Sequence, residues 1–186
     1  MRRVLAFGLM GGAAAVRAEP LNYDYAYLKS GESHVNGRSF RNDTLGAYLE
    51  VGRNGHVFGS WGDAGSYGNP AWKDSRAIRL GAGGHWRIGE DSMFAVEVAA
   101  VRARFDSPTA GRVSDTGWST IVEFRHRLAP SWEAVASASH TDVLGWKTSE
   151  IAVGPVWHIN RIFAIGAFYR RTEGNNGFDV TVRTYY

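Results

Sequence analysis

The chain ends on a segment that changes character at every residue. In Phe178-Asp179-Val180-Thr181-Val182-Arg183-Thr184-Tyr185-Tyr186, one face takes Phe178, Val180, Val182, Thr184 and Tyr186. The other takes Asp179, Thr181, Arg183 and Tyr185. Side chains on a β-strand alternate between faces, so the segment is predicted to be a strand with one apolar, aromatic-tipped side and one polar side. Taken alone it also suits the edge strand of a soluble sheet. The rest of the chain has to separate that reading from others.

The opposite end carries a basic start, Met1-Arg2-Arg3, and then an uncharged run from Val4 to Val16. Val16-Arg17-Ala18 supplies an apolar and a small residue at the positions that precede a signal-peptidase cut. The layout predicts a secretory signal peptide over residues 1–18 and a single domain over 19–186. The apolar run is too short for a membrane helix, which needs about 20 residues. The residues that would complete a twin-arginine signal are missing. Removing 1–18 takes Arg2, Arg3 and Arg17 with it, which leaves as many basic as acidic residues. The high whole-chain pI therefore carries no argument for nucleic acid, and no Lys/Arg cluster follows a phosphate backbone. Cysteine is absent, which excludes a disulfide framework and a thiolate-zinc site.

Between these ends the alternation returns repeatedly. Leu21, Tyr23, Tyr25 and Tyr27 share a face, as do Leu45, Ala47, Leu49 and Val51, and then Val57, Gly59 and Trp61. Ile78, Leu80, Ala82 and Trp86 oppose Arg79 and His85. Phe94, Val96, Val98 and Ala100 oppose Glu97, while Trp118, Thr120, Val122 and Phe124 oppose Glu123 and Arg125. Trp132, Ala134, Ala136 and Ala138 oppose Glu133, and Ile151, Val153, Pro155 and Trp157 oppose Glu150. Pro155 is expected at a bulge. The facing of 162–172 is not readable. About ten strands result, with eight the alternative, each near the length that crosses a tilted path through a bilayer. Longer connections (30–39, 63–73, 106–114, 173–177) alternate with short ones (53–55, 87–91, 129–131, 160–161), Asn54-Gly55 making one hairpin turn. Aromatic residues fall beside both kinds. Trp86, Trp132, Trp157 and Tyr186 lie near short turns or the terminus, and Tyr27, Trp61, Trp118 and Tyr169 near long loops. Two such bands are expected at the two headgroup zones of a membrane.

With these residues in place, the chain resembles the small single-domain outer-membrane barrels of Gram-negative bacteria, of the OmpA/OmpX type. His56-Val57-Phe58-Gly59, following Asn-Gly, is also similar to the short outer-membrane barrel proteins of xanthomonads. The resemblance implies an all-β, up-and-down antiparallel transmembrane β-barrel in the cell outer membrane, monomeric and without catalytic residues. It implies that Phe178, Val180, Val182 and Tyr186 form the signal read by the barrel assembly machinery. Outer-membrane lipid and lipopolysaccharide are its implied surroundings.

If the apolar faces meet lipid, then Glu50, Arg79, Glu97, Glu123, Arg125, Glu150 and Arg183 face the lumen. Charges enclosed in a narrow barrel are expected to pair, because an unpaired buried charge costs several kcal/mol. The same residues read either as a salt-bridged filling or as the lining of a narrow polar diffusion pore. An enzyme of the His–Ser hydrolase kind has Ser139-His140 with Asp142 as its nearest candidate, but neighbours on a strand point opposite ways. Neither metal-ligand spacing nor a phosphate loop is present, so no cofactor is expected. Glycines 81, 83 and 84 are expected to make room for bulky neighbours or to mark a bulge. Arg102 and Arg104 are candidates for lipopolysaccharide phosphates. The functional expectation is a non-enzymatic envelope or surface-interaction barrel. The alternatives are the narrow pore and a soluble periplasmic barrel that binds a small apolar ligand.

Overall fold

A computed structural model describes residues 21–35, 38–63, 74–107, 111–143 and 145–186. The expected signal peptide lies outside the described residues. Ten strands follow in chain order: β1 (Tyr25–Val35), β2 (Arg38–Val51), β3 (Gly55–Asp63), β4 (Asp74–Ile88), β5 (Ser92–Ser107), β6 (Gly111–Ala129), β7 (Trp132–Val143), β8 (Trp146–His158), β9 (Phe163–Thr172) and β10 (Asn175–Tyr185). Each is antiparallel to its neighbours in sequence. β1 pairs with β10 from Tyr25↔Tyr185 to Val35↔Asn175, so the sheet closes on itself. Closure removes the unpaired strand edges that an open sheet would leave in hydrocarbon. The strand count is ten.

Alternation decides what faces where. Val122, Ile151 and Val180 stand exposed on the outer surface, whereas Glu97 and Arg125 are 2% and 1% exposed inside. A soluble domain has the opposite arrangement, because apolar side chains gain by leaving water. An apolar exterior around a polar lumen is the architecture of a transmembrane barrel. On successive strands the outward face turns from apolar to polar at Leu28/Ser30, Leu45/Asp43, Ile78/Arg76, Ala100/Arg102 and Trp118/Thr116. These steps mark the outer limit of the apolar belt. Leu21, the first described residue, Tyr186 and the short turns lie at the inner end.

Several expectations need correction. Residues 30–39 and much of 106–114 are strand, since β1 and β2 stay paired out to Val35↔Arg38 and β5 and β6 out to Ser107↔Gly111. Beyond the belt both faces of a strand meet water, and the apolar–polar contrast that reveals a strand disappears. The 173–177 loop shrinks to Glu173-Gly174. The first hairpin at the inner end turns over 52–54, with the positive φ at Gly52 and Gly55 already paired to Val51. Pro155 makes no bulge: its register with β7 is unbroken, and only the pairing toward β9 lapses across Gly154-Pro155. β9 turns Phe163, Ile165, Ala167 and Tyr169 outward, and Ala164, Gly166, Phe168 and Arg170 inward.

Candidate functional site

The lumen has two levels. At the inner end, Leu21 to Asp24 belong to no strand and fold into the barrel mouth as a short strap ahead of β1. The Tyr23 side chain at its centre is fully buried. Its ring stacks on His56 with centroids 4.2 Å apart and planes 2° from parallel, and on His85 at 4.9 Å. The Arg125 guanidinium lies 4.6 Å from the ring centroid. The Tyr23 hydroxyl donates to Glu123 Oε1 at 3.0 Å, and its backbone N–H donates to Glu50 Oε1 at 3.2 Å. Asp24 accepts from the Glu50 N–H at 2.6 Å, and Asn22 contacts the Asp24 N–H. The strap is held by polar pairs to the wall and by ring stacking.

Around the strap, charged and aromatic side chains fill the bore. Arg125 donates to Glu123 at 2.7 Å, to the Tyr25 hydroxyl at 2.9 Å and to the Asn22 carbonyl at 3.4 Å. Glu97 meets His56 Nε2 at 3.2 Å and accepts from the Tyr48 hydroxyl at 3.3 Å. Nδ1 of His56 and Nδ1 of His85 are 3.4 Å apart, and His85 Nε2 is 3.8 Å from Glu50. Glu133 meets His158 at 3.1 Å. Tyr25, Tyr48, Met93 and Ala95 pack with Leu21 and Tyr23 into one cluster. Two lumen glycines make the packing feasible. A Cβ on Gly81 would come within 2.6 Å of the Phe58 ring, and one on Gly83 within 2.6 Å of His56 Nε2. Those rings lie across bare backbone.

The outer level is open. A cavity of about 120 Å³ lies there. Thr44, Ser60, Ser139, Thr148 and Thr172 give it a hydroxyl-rich wall, with Arg79 and Glu150 among its charges. Arg79 donates to Thr141 at 3.4 Å, and Thr141 to Ser119 at 3.2 Å. Arg170 bridges Glu150 at 3.0 Å and Asp179 at 2.5 Å, and Lys29 reaches Asp179 at 3.8 Å. Below this level Arg183 is buried with its Cζ 5.0 Å from the Tyr25 ring centroid, and its Nε and Nη1 make no hydrogen bond.

All seven charged residues expected in the lumen face it: Glu97, Glu123, Arg125 and Arg183 at the lower level, Arg79 and Glu150 at the upper, and Glu50 at the inner mouth. The pairing among them is narrower than expected. Among the described residues, the ion pair within that set is Glu123–Arg125. Glu97 and Glu50 turn to histidines, and Glu150 to Arg170. Nothing in the sequence pattern marks Arg170, Asp179, Glu133, His56, His85 and the tyrosines Tyr23, Tyr25 and Tyr48 as partners in the lumen. Alternation had already put Glu133 and Asp179 on polar faces, so a complete list of polar-face charges would have included both.

Of the expected aromatic bands, Trp86, Trp132 and Trp157 stand outward near the inner turns, as does the terminal Tyr186. Trp132 and Trp157 are register partners with rings 6.1 Å apart. Trp61, Trp118 and Tyr169 stand outward toward the other end. Tyr27 is a correction. It points into the lumen, lines the cavity and touches the ring of Tyr48. Because β1 runs on to Val35, it also lies low on its strand. The whole Tyr23–Tyr25–Tyr27 face looks inward, while Leu28 takes the outside. On the final strand Phe178, Val180 and Val182 point outward beside Tyr186. Ser139 faces the cavity, while His140 sits on the opposite side of the wall, 3.0 Å from Ser149 Oγ. Among the described residues, no group of three or more His, Asp or Glu is placed to hold a metal.

No protein-family model matches the sequence, and a search of curated proteins finds no match. Solved structures do match in fold. The NanC porin aligns over 86% of this chain and 99% of its own, with a TM-score of 0.55 at 8% identity. The KdgM porin in complex with disordered oligogalacturonate aligns over 87% and 99%, with a TM-score of 0.53 at 8% identity. At such identity the likeness is one of fold: a closed, antiparallel outer-membrane-type barrel.

Proposed function

We propose that this protein is an integral outer-membrane barrel that performs no catalysis and serves the cell envelope through its wall and its outer hairpins, with its lumen closed in the resting state. The observation that carries the reading is the Tyr23 strap. Its ring, caged by His56, His85, Arg125 and Glu123, stands across the inner mouth where a solute would have to pass. The outward belt of Leu28, Leu49, Leu80, Val98 and Ile151 supports membrane residence and weighs against a soluble periplasmic barrel. Phe178, Val180, Val182 and Tyr186 serve as the assembly signal on β10, and a sheet without edges suits a monomer.

A second reading, a narrow polar pore, has a specific observation behind it. The outer cavity already reaches down to Arg79 and Thr141, and the stopper below it is a strap outside the strand ladder rather than part of the wall. Both structural neighbours named above are porins. Planar-bilayer recording of the refolded protein tests between them. The closed reading expects a silent bilayer with wild-type protein, and steady single-channel steps from it would establish the pore. A hydrolase has less behind it. Ser92 Oγ and His126 Nδ1 are 2.9 Å apart on the outer surface near an inner turn, a contact not foreseen from the sequence. Among the described residues no carboxylate pairs with that His126, so the orienting third group of a triad is lacking.

A further inference from the structure

On the outer surface of β4 and β5 the apolar belt ends in arginines. Going outward along β5, the lipid-facing positions are Phe94, Val96, Val98 and Ala100, then Arg102 and Arg104. Along β4 they are Trp86, Gly84, Ala82, Leu80 and Ile78, then Arg76. The register sets Arg76 directly opposite Arg104, and Arg102 opposite Ile78. Directly opposed side chains start about 5 Å apart and diagonal ones about 7–8 Å, so three guanidiniums share one patch. All three are exposed, and among the described residues none of the three forms an ion pair. Like charges directly opposite each other destabilise a sheet. Asp63 on β3 stands opposite Arg76 on its other side, but the partners of Arg102 and Arg104 on β6 are Thr116 and Ser114, so a bridging anion would relieve the repulsion there.

Its height on the wall says what kind of anion. Trp61, the partner of Ile78, and Trp118, the partner of Ala100, stand outward on either side of the patch at the belt's edge. Tryptophan in that position marks the headgroup zone. Just below lie Leu80, Val98 and Val122, an apolar surface for acyl chains. With Asp63 of β3 opposite Arg76, the patch sets three bases beside one acid among these side chains, and Arg102 lies next to the belt.

Resting on the outer-membrane reading, we infer that Arg76, Arg102 and Arg104 form a binding site for the phosphates of a phosphorylated outer-leaflet lipid of the lipopolysaccharide class. Guanidiniums hold phosphate oxygens in paired, charge-assisted hydrogen bonds, and the acyl chains lie along β4–β6 beneath. The site differs from the lumen in facing outward and requires no passage through the barrel.

The test uses the full chain refolded into phosphatidylcholine vesicles, with bisphosphorylated lipid A, or lipid A stripped of its phosphates, as the titrated probe. Wild-type protein is expected to bind the bisphosphorylated lipid at least about tenfold more tightly than R76Q/R102Q/R104Q does. Removal of the phosphates should abolish the difference. A triple-lysine variant, which keeps the charge but loses the fork, is expected to fall between them. Arg171→Gln, elsewhere on the outer wall, should leave affinity unchanged. Equal binding by wild type and the triple-glutamine variant, or equal binding of both lipids, overturns the site and leaves the arginines as a solvated rim of the wall. A chain that inserts into no vesicle and shows no heat-modifiable migration would defeat the membrane reading itself, and the site with it.

Discussion

The two levels of the lumen are built from the same ten strands under the same alternation, yet one is solid and the other hollow. Below, the inward positions hold Tyr25, Tyr48, His56, His85, Glu97, Glu123 and Arg125, and the strap adds Tyr23. Above, the inward positions hold Thr44, Ser60, Ser139, Thr141 and Thr172. A ten-stranded cylinder is about wide enough for large side chains to meet at the axis, and small ones cannot. Whether such a barrel is blocked is therefore decided one level at a time by side-chain length, not by strand number. The filled level is also where polar groups have lost their water, so there each partner matters far more.

Arg125 gives the largest expected effect. Its guanidinium neutralises Glu123 and binds Tyr25 and the strap carbonyl within a bore filled by side chains. Arg125→Met should lower stability by about 3–5 kcal/mol, because it leaves a buried carboxylate without its partner. Arg79→Met, in the wet level, should lower it by under about 1 kcal/mol. Urea unfolding of the refolded barrels in lipid vesicles measures both. Similar losses would mean that the upper cavity is as dry as the lower core.

Tyr23→Ala comes next. It removes two ring stacks, a cation–π contact and a hydroxyl bond, and a loss of about 3 kcal/mol is expected from comparable aromatic truncations. Tyr23→Phe keeps the ring and should lose only about 1 kcal/mol, the share of one hydrogen bond. The same pair of variants reports on the stopper. Single-channel steps from Tyr23→Ala but not from Tyr23→Phe would show that the ring itself bars the mouth. Silence from both would place the barrier in the wall, at Tyr25, Tyr48 and Arg125.

Much of this contrast was legible in the sequence, and the parts that were not share a cause. Where one neighbour is hydrocarbon and the other a polar lumen, alternation is sharp. The pattern sets Val96 against Glu97 and Phe124 against Arg125, as the structure does, and gives β10 the two faces it has. Tyrosine defeats the method because its ring suits lipid and its hydroxyl suits a buried polar network. Tyr23, Tyr25 and Tyr27 were therefore assigned to the apolar face, although Leu28 takes the outside of that strand. The residues beside them mislead, since Asn22 and Asp24 are polar and suit a lumen face, yet in the structure both belong to the strap, where no strand face exists. The same loss of contrast hid the outer parts of β1, β2 and β6, where Glu32, Arg41 and Ser114 are polar like their neighbours. The meeting of the histidines is hidden for another reason. His56 and His85 come together only through the pairing of β3 with β4, and a stack with Tyr23 depends on a strap that no period reveals.

Glycine gives a smaller, cleaner probe of how full the lower level is. On Gly83 a methyl group would meet His56 at 2.6 Å and the Val96 carbonyl at 2.7 Å. Gly83→Ala should lose about 1–3 kcal/mol through overpacking. On Gly59, which faces outward, the nearest obstacle is the far end of the exposed Leu80 side chain, its Cδ2 at 3.1 Å. Gly59→Ala should change stability by less than about 1 kcal/mol, since Leu80 can turn aside and alanine lowers the entropy of the unfolded chain. Matched losses in urea unfolding would show that the space around His56 is looser than its stacking distance implies.

The smallest expected effect tests whether the two levels are separate at all. Ser139 lines the cavity, where water can take up its hydroxyl bonds, so Ser139→Ala should change stability by no more than about 0.5 kcal/mol. Made together with Tyr23→Ala, its effect should add to that of the single change within about 0.3–0.5 kcal/mol, as it does for residues without shared partners. Additivity would mean that water divides the lumen and that the stopper can be altered without disturbing the cup above it. A coupling above about 1 kcal/mol would mean that the hydroxyl wall and the strap belong to one network. Tyr27 is the side chain through which such coupling would pass, because it lines the cavity on one side and contacts the Tyr25 and Tyr48 rings on the other. Repeating the cycle with Tyr27→Leu would then remove the excess if the ring carries it, and leave it unchanged if the strands themselves do.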